Sequence, residues 1–344
     1  MPHPLAQAQT AAGRMPVILL TGFLGSGKTT LLARWIHHPA FADTAVIINE
    51  FGEVGLDHVL LEKSDDRDVV LLDSGCLCCA MNSPLQDSLE DLYYRRLRGE
   101  IPAFQRVIVE TSGLADPAPL VNTLAADPSV AAHYEFAGVV ATMDAVHGLA
   151  ALASYKEAAT QLALADRVVV TKTDVAGAAQ VQAVLEEVAR RNPHARAVQS
   201  PGERPDDAAS AAIEGLQAHA LPAAQETPRP RSDRFSHLLR YGIGSFTLHT
   251  GQAVSWPQYA RWVDAMQRTL GERLLRLKGT LVMEDGHVYA IHAVHHLFSP
   301  PKALPDDSVP PALRGALVVI ARDLSAEDLE EIFALLAQEP SAAR

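Results

Sequence analysis

Cysteine is scarce and confined: the chain has three in 344 residues, all between positions 76 and 79. Spaced pairs that could close a disulfide framework are absent, which excludes a stapled secreted scaffold and points to a reducing compartment, the cytoplasm. No apolar run approaches the ~20 residues that cross a bilayer. Residues 1–14 lack the apolar core of a signal peptide and read as a flexible leader, with the fold beginning near Met15. A basic excess is missing too. With 29 Lys and Arg against 41 Asp and Glu the formal charge is −12, which argues against nucleic acid or an anionic membrane as partner. Apart from an enrichment in alanine there is no internal repeat and no low-complexity tract. What remains is a globular composition, 48% hydrophobic and 20% charged, long enough for two domains.

Short, nearly continuous apolar runs rich in β-branched residues recur at 17–20, 45–48, 69–72, 106–109, 137–141 and 167–170. Continuity rather than alternation predicts strands buried on both faces. Helical stretches fall between most of them, at 28–37, 84–97, 117–126 and 178–190. The second opens on Ser83, Pro84 and Gln86, a capping signal. The expected fold class is α/β, a mostly parallel sheet with helices on both faces. Residues 200–233 are rich in Ala, Pro, Glu and Arg and predict a weak helix and a linker. Strands at 245–249, 280–282, 288–293 and 316–320, with helices at 257–270 and 326–336, predict a smaller C-terminal α+β domain. The expected divisions are 1–14, a first domain over 15–220, a linker over 221–234 and a second domain over 235–340.

Gly22–Thr29 reads GFLGSGKT and fits G-x-x-x-x-G-K-[ST] in full, between a predicted strand and a predicted helix. This makes the first domain a P-loop NTPase. Gly22, Gly25 and Gly27 let the loop's backbone N–H groups wrap phosphates at a helix N-terminus, and Ser26 and Thr30 complete the nucleotide-binding stretch. Lys28 is expected on the β- and γ-phosphates and the Thr29 hydroxyl on Mg²⁺. Thr171-Lys172-Thr173-Asp174 follows a predicted strand where a base-reading loop belongs. The Asp174 carboxylate can accept from the guanine N1–H and amine, which adenine does not offer, so Thr171, Lys172 and Asp174 favour GTP over ATP. Thr171 stands where Asn is usual, a departure expected to remove one tethering contact. In 107–113, Glu110 is expected to hold the Mg²⁺ shell or orient water, and the Gly113 N–H to sense the γ-phosphate. Residues 49–57 read as a switch loop, flexible at Gly52 and Gly55, with Asp57 as a further Mg²⁺ contact.

Cys76, Cys78 and Cys79 supply at most three thiolates, which suit Zn²⁺, Cu(I) and other thiophilic ions. A fourth ligand must come from elsewhere, and Glu53 is the candidate, with His58 as runner-up. Three cysteines in four positions are hard to read as small apolar filling. A redox dithiol is disfavoured because Cys78 and Cys79 are adjacent. His37 and His38 read as complements to a helix dipole. Strand alternation is expected to scatter His287, His292, His295 and His296, which favours ordinary structural roles.

Together TGFLGSGKTTLL (21–32), NEFGEVGLD (49–57), GCLCC (75–79), ETSGLADP (110–117), ADRVVVTKTD (165–174) and LLRLKGTLVMEDG (274–286) resemble the CobW family of P-loop GTPases. That family is related to the UreG and HypB metallocentre-maturation proteins. The pattern is most similar to its YjiA-like branch, which also accepts Thr in the guanine loop. The resemblance implies GTP hydrolysis with Mg²⁺, with Lys28, Thr29 and Glu110 as the catalytic set. It also implies Zn²⁺, Co²⁺ or a similar ion on Cys76, Cys78 and Cys79 with Glu53, and delivery of that ion to a client metalloprotein. The chain lacks the His-rich tract of some members, which weakens a storage role. No glutamine or arginine finger is evident, so slow intrinsic turnover is expected. Self-association stays open. The alternatives are a GTP-gated regulator with a purely structural zinc and a P-loop small-molecule kinase.

Overall fold

The computed structural model describes residues 13–48, 69–73, 84–200, 212, 213, 216, 242–305, 308–324 and 326–337. β1 (Met15–Gly22) lies between β4 (Arg106–Glu110) and β5 (Tyr134–Asp144), parallel to both. With β2 (Thr44–Ile48), β3 (Val69–Asp73), β6 (Arg167–Thr171) and β7 (Arg196–Gln199) it forms a seven-stranded sheet of order β3-β2-β4-β1-β5-β6-β7. Every pairing is parallel. The apolar runs are continuous because both faces are covered. Val17 and Leu19 enter a core with α2 (Pro84–Leu97) and α3 (Ala118–Ala126), whereas Ile18 and Leu20 pack against Leu31, Leu32 and Trp35 of α1 (Lys28–Trp35). β1 leads to β2 on one side of it while its neighbour β4 leads to β5 on the other, and ligands of such folds sit at the strands' C-terminal ends where connections diverge in this way.

Helices α4 (Pro128–His133), α5 (Gly148–Ser154), α6 (Lys156–Leu164) and α7 (Ala178–Arg191) complete the domain. The sequence reading places no helix at 128–133, 148–154 or 156–164. Over 148–164 the reason is composition: small alanines occupy both inward and outward positions, so no apolar stripe stands out. Asp127 caps α4, its carboxylate accepting from the N–H groups of Ser129 (2.9 Å) and Val130 (3.2 Å). His38 caps the 3-10 turn Pro39–Phe41 through Nδ1, which accepts from the Ala40 N–H at 3.1 Å. The ring therefore caps the turn after the helix. Residues 1–12 of the leader expected at 1–14, the linker at 221–234 and Ser83 of the capping signal lie outside the described residues.

The C-terminal domain runs β8 (Ile243–His249), α8 (Trp256–Thr269), β9 (Leu274–Val282), β10 (Val288–Val294), β11 (Leu297–Phe298), β12 (Lys302–Leu304), β13 (Ala316–Arg322) and α9 (Ala326–Ala337). Its sheet has the order β11-β10-β9-β13-β8, with β12 on β10, and is antiparallel. A capping box between Ser255 and Gln258 starts α8. One sheet face packs Leu277, Leu281, Leu317 and Val319 against Trp262 and Met266 of α8 and Ile332 of α9. Part of the other face is covered as well. Ile243, Leu275, Val294 and Ile320 join Ala159, Ala163 and Leu164 of α6 in the N-terminal core.

Charge is buried at that junction. Asp166, 5% exposed, accepts from Arg276 Nη2 and from Lys278 Nζ (2.9 Å) on one oxygen, and from the Val139 N–H (2.9 Å) on the other. Arg276 is fully buried and also donates to the Leu164 carbonyl. Burial by itself raises the Asp166 pKa, but the charges of Arg276 and Lys278 outweigh it and hold the carboxylate well below its usual range. His292 and His295 are buried nearby, and among the described residues no group of three His, Cys, Asp or Glu could hold a metal ion. No described helix is long and apolar enough to cross a membrane.

His194, whose Nε2 lies 3.4 Å from the Val318 carbonyl across the junction, feels the same field. Burial first, then repulsion from Lys278 and Arg276, lowers its pKa to about 3. The unfolded chain, with histidine near 6.5, takes up this proton before the native one does. The stabilising difference is therefore complete above pH 6.5 and is lost progressively toward pH 3. Moving from pH 7 to pH 5 should cost about 2 kcal/mol through this residue. Urea midpoints at the two pH values check it, and His194→Gln should flatten the dependence. An equally steep fall in the variant would exclude His194 as its source.

Candidate nucleotide site

The loop after β1 is built by close approach. Gly22 has φ 144°, and a Cβ there would lie 2.2 Å from Thr142 Oγ1 and 2.7 Å from the Thr142 carbonyl oxygen, so only glycine fits between β1 and β5. Gly27, in the left-handed region at φ 91°, turns the chain into α1. Ser26 is buried, and its hydroxyl lies 2.6 Å from Thr142 Oγ1, which braces the loop against β5. Lys28 Nζ donates to the carbonyls of Gly22 (3.0 Å) and Phe23 (3.5 Å), arching over the loop. Gly25 and Thr30 are exposed along it.

Thr29 follows Lys28 and donates through Oγ1 to Glu110 Oε1 at 2.7 Å. Glu110 closes β4 and is 3% exposed. A hydroxyl and a carboxylate meeting beside the loop form a hard-oxygen donor pair, the kind that suits Mg²⁺. Two residues on, Gly113 presses against the loop, and a Cβ on it would meet the Leu24 backbone N at 2.8 Å. Behind it stands Gln161 of α6, which donates from Nε2 to the Gly113 and Ala115 carbonyls. A cavity of about 340 Å³ lies beside these groups, walled by Phe23, Leu24, Met143, Leu152, Tyr155 and Leu162 among others.

The segment expected to read the base is tied to the same loop. Thr171 Oγ1 donates to the Ser26 carbonyl at 2.7 Å. The tether that the Thr-for-Asn departure was expected to remove is therefore present, made by the shorter hydroxyl. Lys172 takes φ 57°, and its ammonium donates to the Gly25 carbonyl (2.8 Å) and to Asp144 Oδ2 (2.7 Å). Asp144 also accepts from the Val146 and His147 N–H groups. Its burial would raise its pKa, but the Lys172 bond and these N–H groups hold it below the ordinary carboxylate value. Asp174 is exposed beyond them. Thr142, Asp144 and Gln161 were not found from sequence. Asp144 lies three residues beyond the strand expected at 137–141 and closes β5 only in the structure, and Gln161 carried no signal.

Glu53, Asp57, His58, Cys76, Cys78 and Cys79 lie outside the described residues, as do Gly52 and Gly55. The strands that deliver them do not. Ile48, the last residue of β2, pairs with Asp73, the last of β3, and on its other side with Glu110. Segments 49–68 and 74–83 therefore leave from neighbouring strand ends, at the sheet edge that carries Glu110.

The comparisons agree with this geometry. Residues 16–199 match the family model of the CobW/HypB/UreG nucleotide-binding domain, and residues 243–336 match that of the cobalamin synthesis protein cobW C-terminal domain. The chain is 40% identical over 179 residues to the zinc chaperone YjiA of Escherichia coli, covering 52% of this chain and 55% of the relative. It is 29% identical over 218 residues to a zinc chaperone CobW of Sinorhizobium (54% and 59%). It is 31% identical over 182 residues to zinc-regulated GTPase metalloprotein activator 1 of Saccharomyces cerevisiae (47% and 42%). The chain thus spans about half the length of the curated relatives it matches. The crystal structure of Zn(II)-bound YjiA GTPase from E. coli superposes with a TM-score of 0.70 at 27% identity, covering 94% of this chain and 99% of that one.

Proposed function

Because the chain belongs to the CobW/HypB/UreG family of nucleotide-binding proteins, we propose that it is a slow GTPase that couples its nucleotide state to the delivery of a transition-metal ion, Zn²⁺ first, to a client protein in the cytoplasm. The names of its relatives support the chaperone part of this reading. The observation that carries the coupling is the pairing of Ile48 with both Asp73 and Glu110. It starts the switch segment and the cysteine window from one sheet edge, a strand spacing of about 4.8 Å apart, beside the group that faces the Mg²⁺ position.

In this reading Gly22, Gly25, Ser26, Gly27, Lys28, Thr29 and Thr30 hold the phosphates, and Thr171, Lys172 and Asp174 select guanine. Thr29, Glu110 and Asp57 hold Mg²⁺, which when bound offsets charge on the β- and γ-phosphate oxygens. Glu110 orders the attacking water and Gly113 reads the γ-phosphate through its N–H. Cys76, Cys78, Cys79 and Glu53 hold the cargo ion. Ordering of 49–57 by the γ-phosphate shifts Glu53 and so changes the ion's affinity. The domain division at 15–220, 221–234 and 235–340 goes with this reading.

Chelator competition for Zn²⁺, with the protein loaded with GDP or with a non-hydrolysable GTP analogue, tests the coupling. The two affinities should differ by roughly 5–150-fold, and Zn²⁺ should change nucleotide affinity by the same factor. Equal, tight binding in both states would reduce the cysteines to a structural clip.

A further inference from the structure

We propose that Gln161 is the positioning residue of the γ-phosphate loop, clamping residues 113–115 in the arrangement that GTP turnover needs. The inference rests on the GTPase reading above and concerns a residue outside the phosphate-binding stretch. Gln161 sits on α6, is 1% exposed, and donates from one Nε2 to two main-chain carbonyls, Gly113 at 3.1 Å and Ala115 at 3.0 Å. A trans peptide sets its N–H opposite its C=O. Fixing the Gly113 carbonyl toward α6 therefore turns the Leu114 N–H away from it and sets the pitch of the whole turn. The Gly113 N–H has no hydrogen-bond partner among the described residues and is left for a ligand. On its other side Gly113 touches Leu24 of the phosphate loop, so the turn is held between a polar clamp and a steric stop.

The clamp is retained at a cost. Among the described residues Gln161 Oε1 is buried without a hydrogen-bond partner; methionine or leucine would fill the same volume without that unmet oxygen but would take the donor away from the Gly113 and Ala115 carbonyls. A side chain kept only for packing would be apolar here. The helix that carries it is itself anchored: Thr160 accepts from Arg322 Nη2 of β13 at 3.0 Å, and the Leu164 carbonyl accepts from Arg276 of β9. Gln161 therefore acts from a fixed point, which a positioning group requires.

The test uses Gln161→Met, similar in length but without donors, and Gln161→Glu, which keeps the shape and sets a carboxylate against both carbonyls. Turnover of GTP should fall roughly 10–100-fold in either variant. Affinity for a non-hydrolysable GTP analogue should fall with it, while GDP affinity changes less than about twofold, since GDP does not reach Gly113. A purely structural role predicts parallel losses for both nucleotides, and that result, or unchanged turnover, would overturn the proposal. If neither variant folds, hydrogen exchange on the native chain decides. Residues 111–117 and 156–164 should gain protection together when the analogue replaces GDP, and uncoupled protection would overturn it. A native chain that neither hydrolyses GTP nor prefers it sinks the GTPase reading itself, whereas a native chain that hydrolyses GTP beside an unaffected Gln161→Met sinks only the clamp.

Discussion

Replacing Asp166 with alanine is expected to destabilise the protein by about 3–5 kcal/mol, the usual cost of removing one partner from a buried ion pair. The magnitude follows from what is left behind. Arg276 is fully buried and Lys278 nearly so, and both direct cationic nitrogens at the one carboxylate oxygen. Without it the Val139 N–H also loses its acceptor. Lys278, whose pKa burial already lowers, can shed its proton and recover part of the loss, but a guanidinium cannot. Against the ~5–15 kcal/mol that holds a typical domain, this is a large share of the total. Urea titration of Asp166→Ala against the native chain measures it. A companion change that also replaces Arg276 with methionine should regain stability, because well-packed apolar groups often replace buried ions at no loss. A cost below about 1 kcal/mol for the single variant would show that the junction is wetter than its burial implies.

Gly22→Ala is expected to abolish nucleotide turnover without disturbing secondary structure. The added methyl would lie 2.2 Å from Thr142 Oγ1 and 2.7 Å from the Thr142 backbone carbonyl, and no rotamer change relieves the second contact. The loop must then lift off β5, which breaks the Ser26–Thr142 brace and moves the N–H groups that would cradle the phosphates. Displacing a single well-aimed donor typically costs 10²–10³ in rate, so a fall of at least ~100-fold is expected. Gly25→Ala is the control. Nothing lies within 4 Å of a Cβ there, and only its φ of 69° resists substitution, so its effect should be about tenfold or less. Circular dichroism and GTP turnover on the pair check the ranking. Equal losses would mean that the clash with β5 does not set the loop's position.

Much of the first domain could be read from residues because its signals are local. Continuous runs such as 45–48 and 106–109 became β2 and β4 within a residue or two, and the phosphate loop fell where strand met helix. Glu110 and Thr29, picked from separate motifs, meet at 2.7 Å. What escaped depends on distance along the chain. Asp166 meets Arg276 and Lys278 across more than a hundred residues, and both cations sit in LLRLKG, where two charges interrupt the apolar run and no strand is expected. β9 accordingly begins six residues before the expected strand at 280–282. Gln161 shows why a single polar residue is hard to find: in an alanine-rich helix it looks exposed until the opposing loop is known. Thr171 teaches the reverse lesson, since a departure from the usual residue type kept its contact by a different atom.

The junction around Asp166 also bears on how such a chain can be divided. Cut between the two sheets, the first domain would present a carboxylate and the Leu164 carbonyl shaped for cations it no longer has, beside an apolar patch from α6. The second would carry Arg276 and Lys278 bare among Leu275, Val294 and Ile320. Neither fragment has a finished surface. A gene fusion, truncation or exchange that respects the linker but not this seam should yield insoluble halves. The two sheets should therefore express as one unit, even though they are drawn separately.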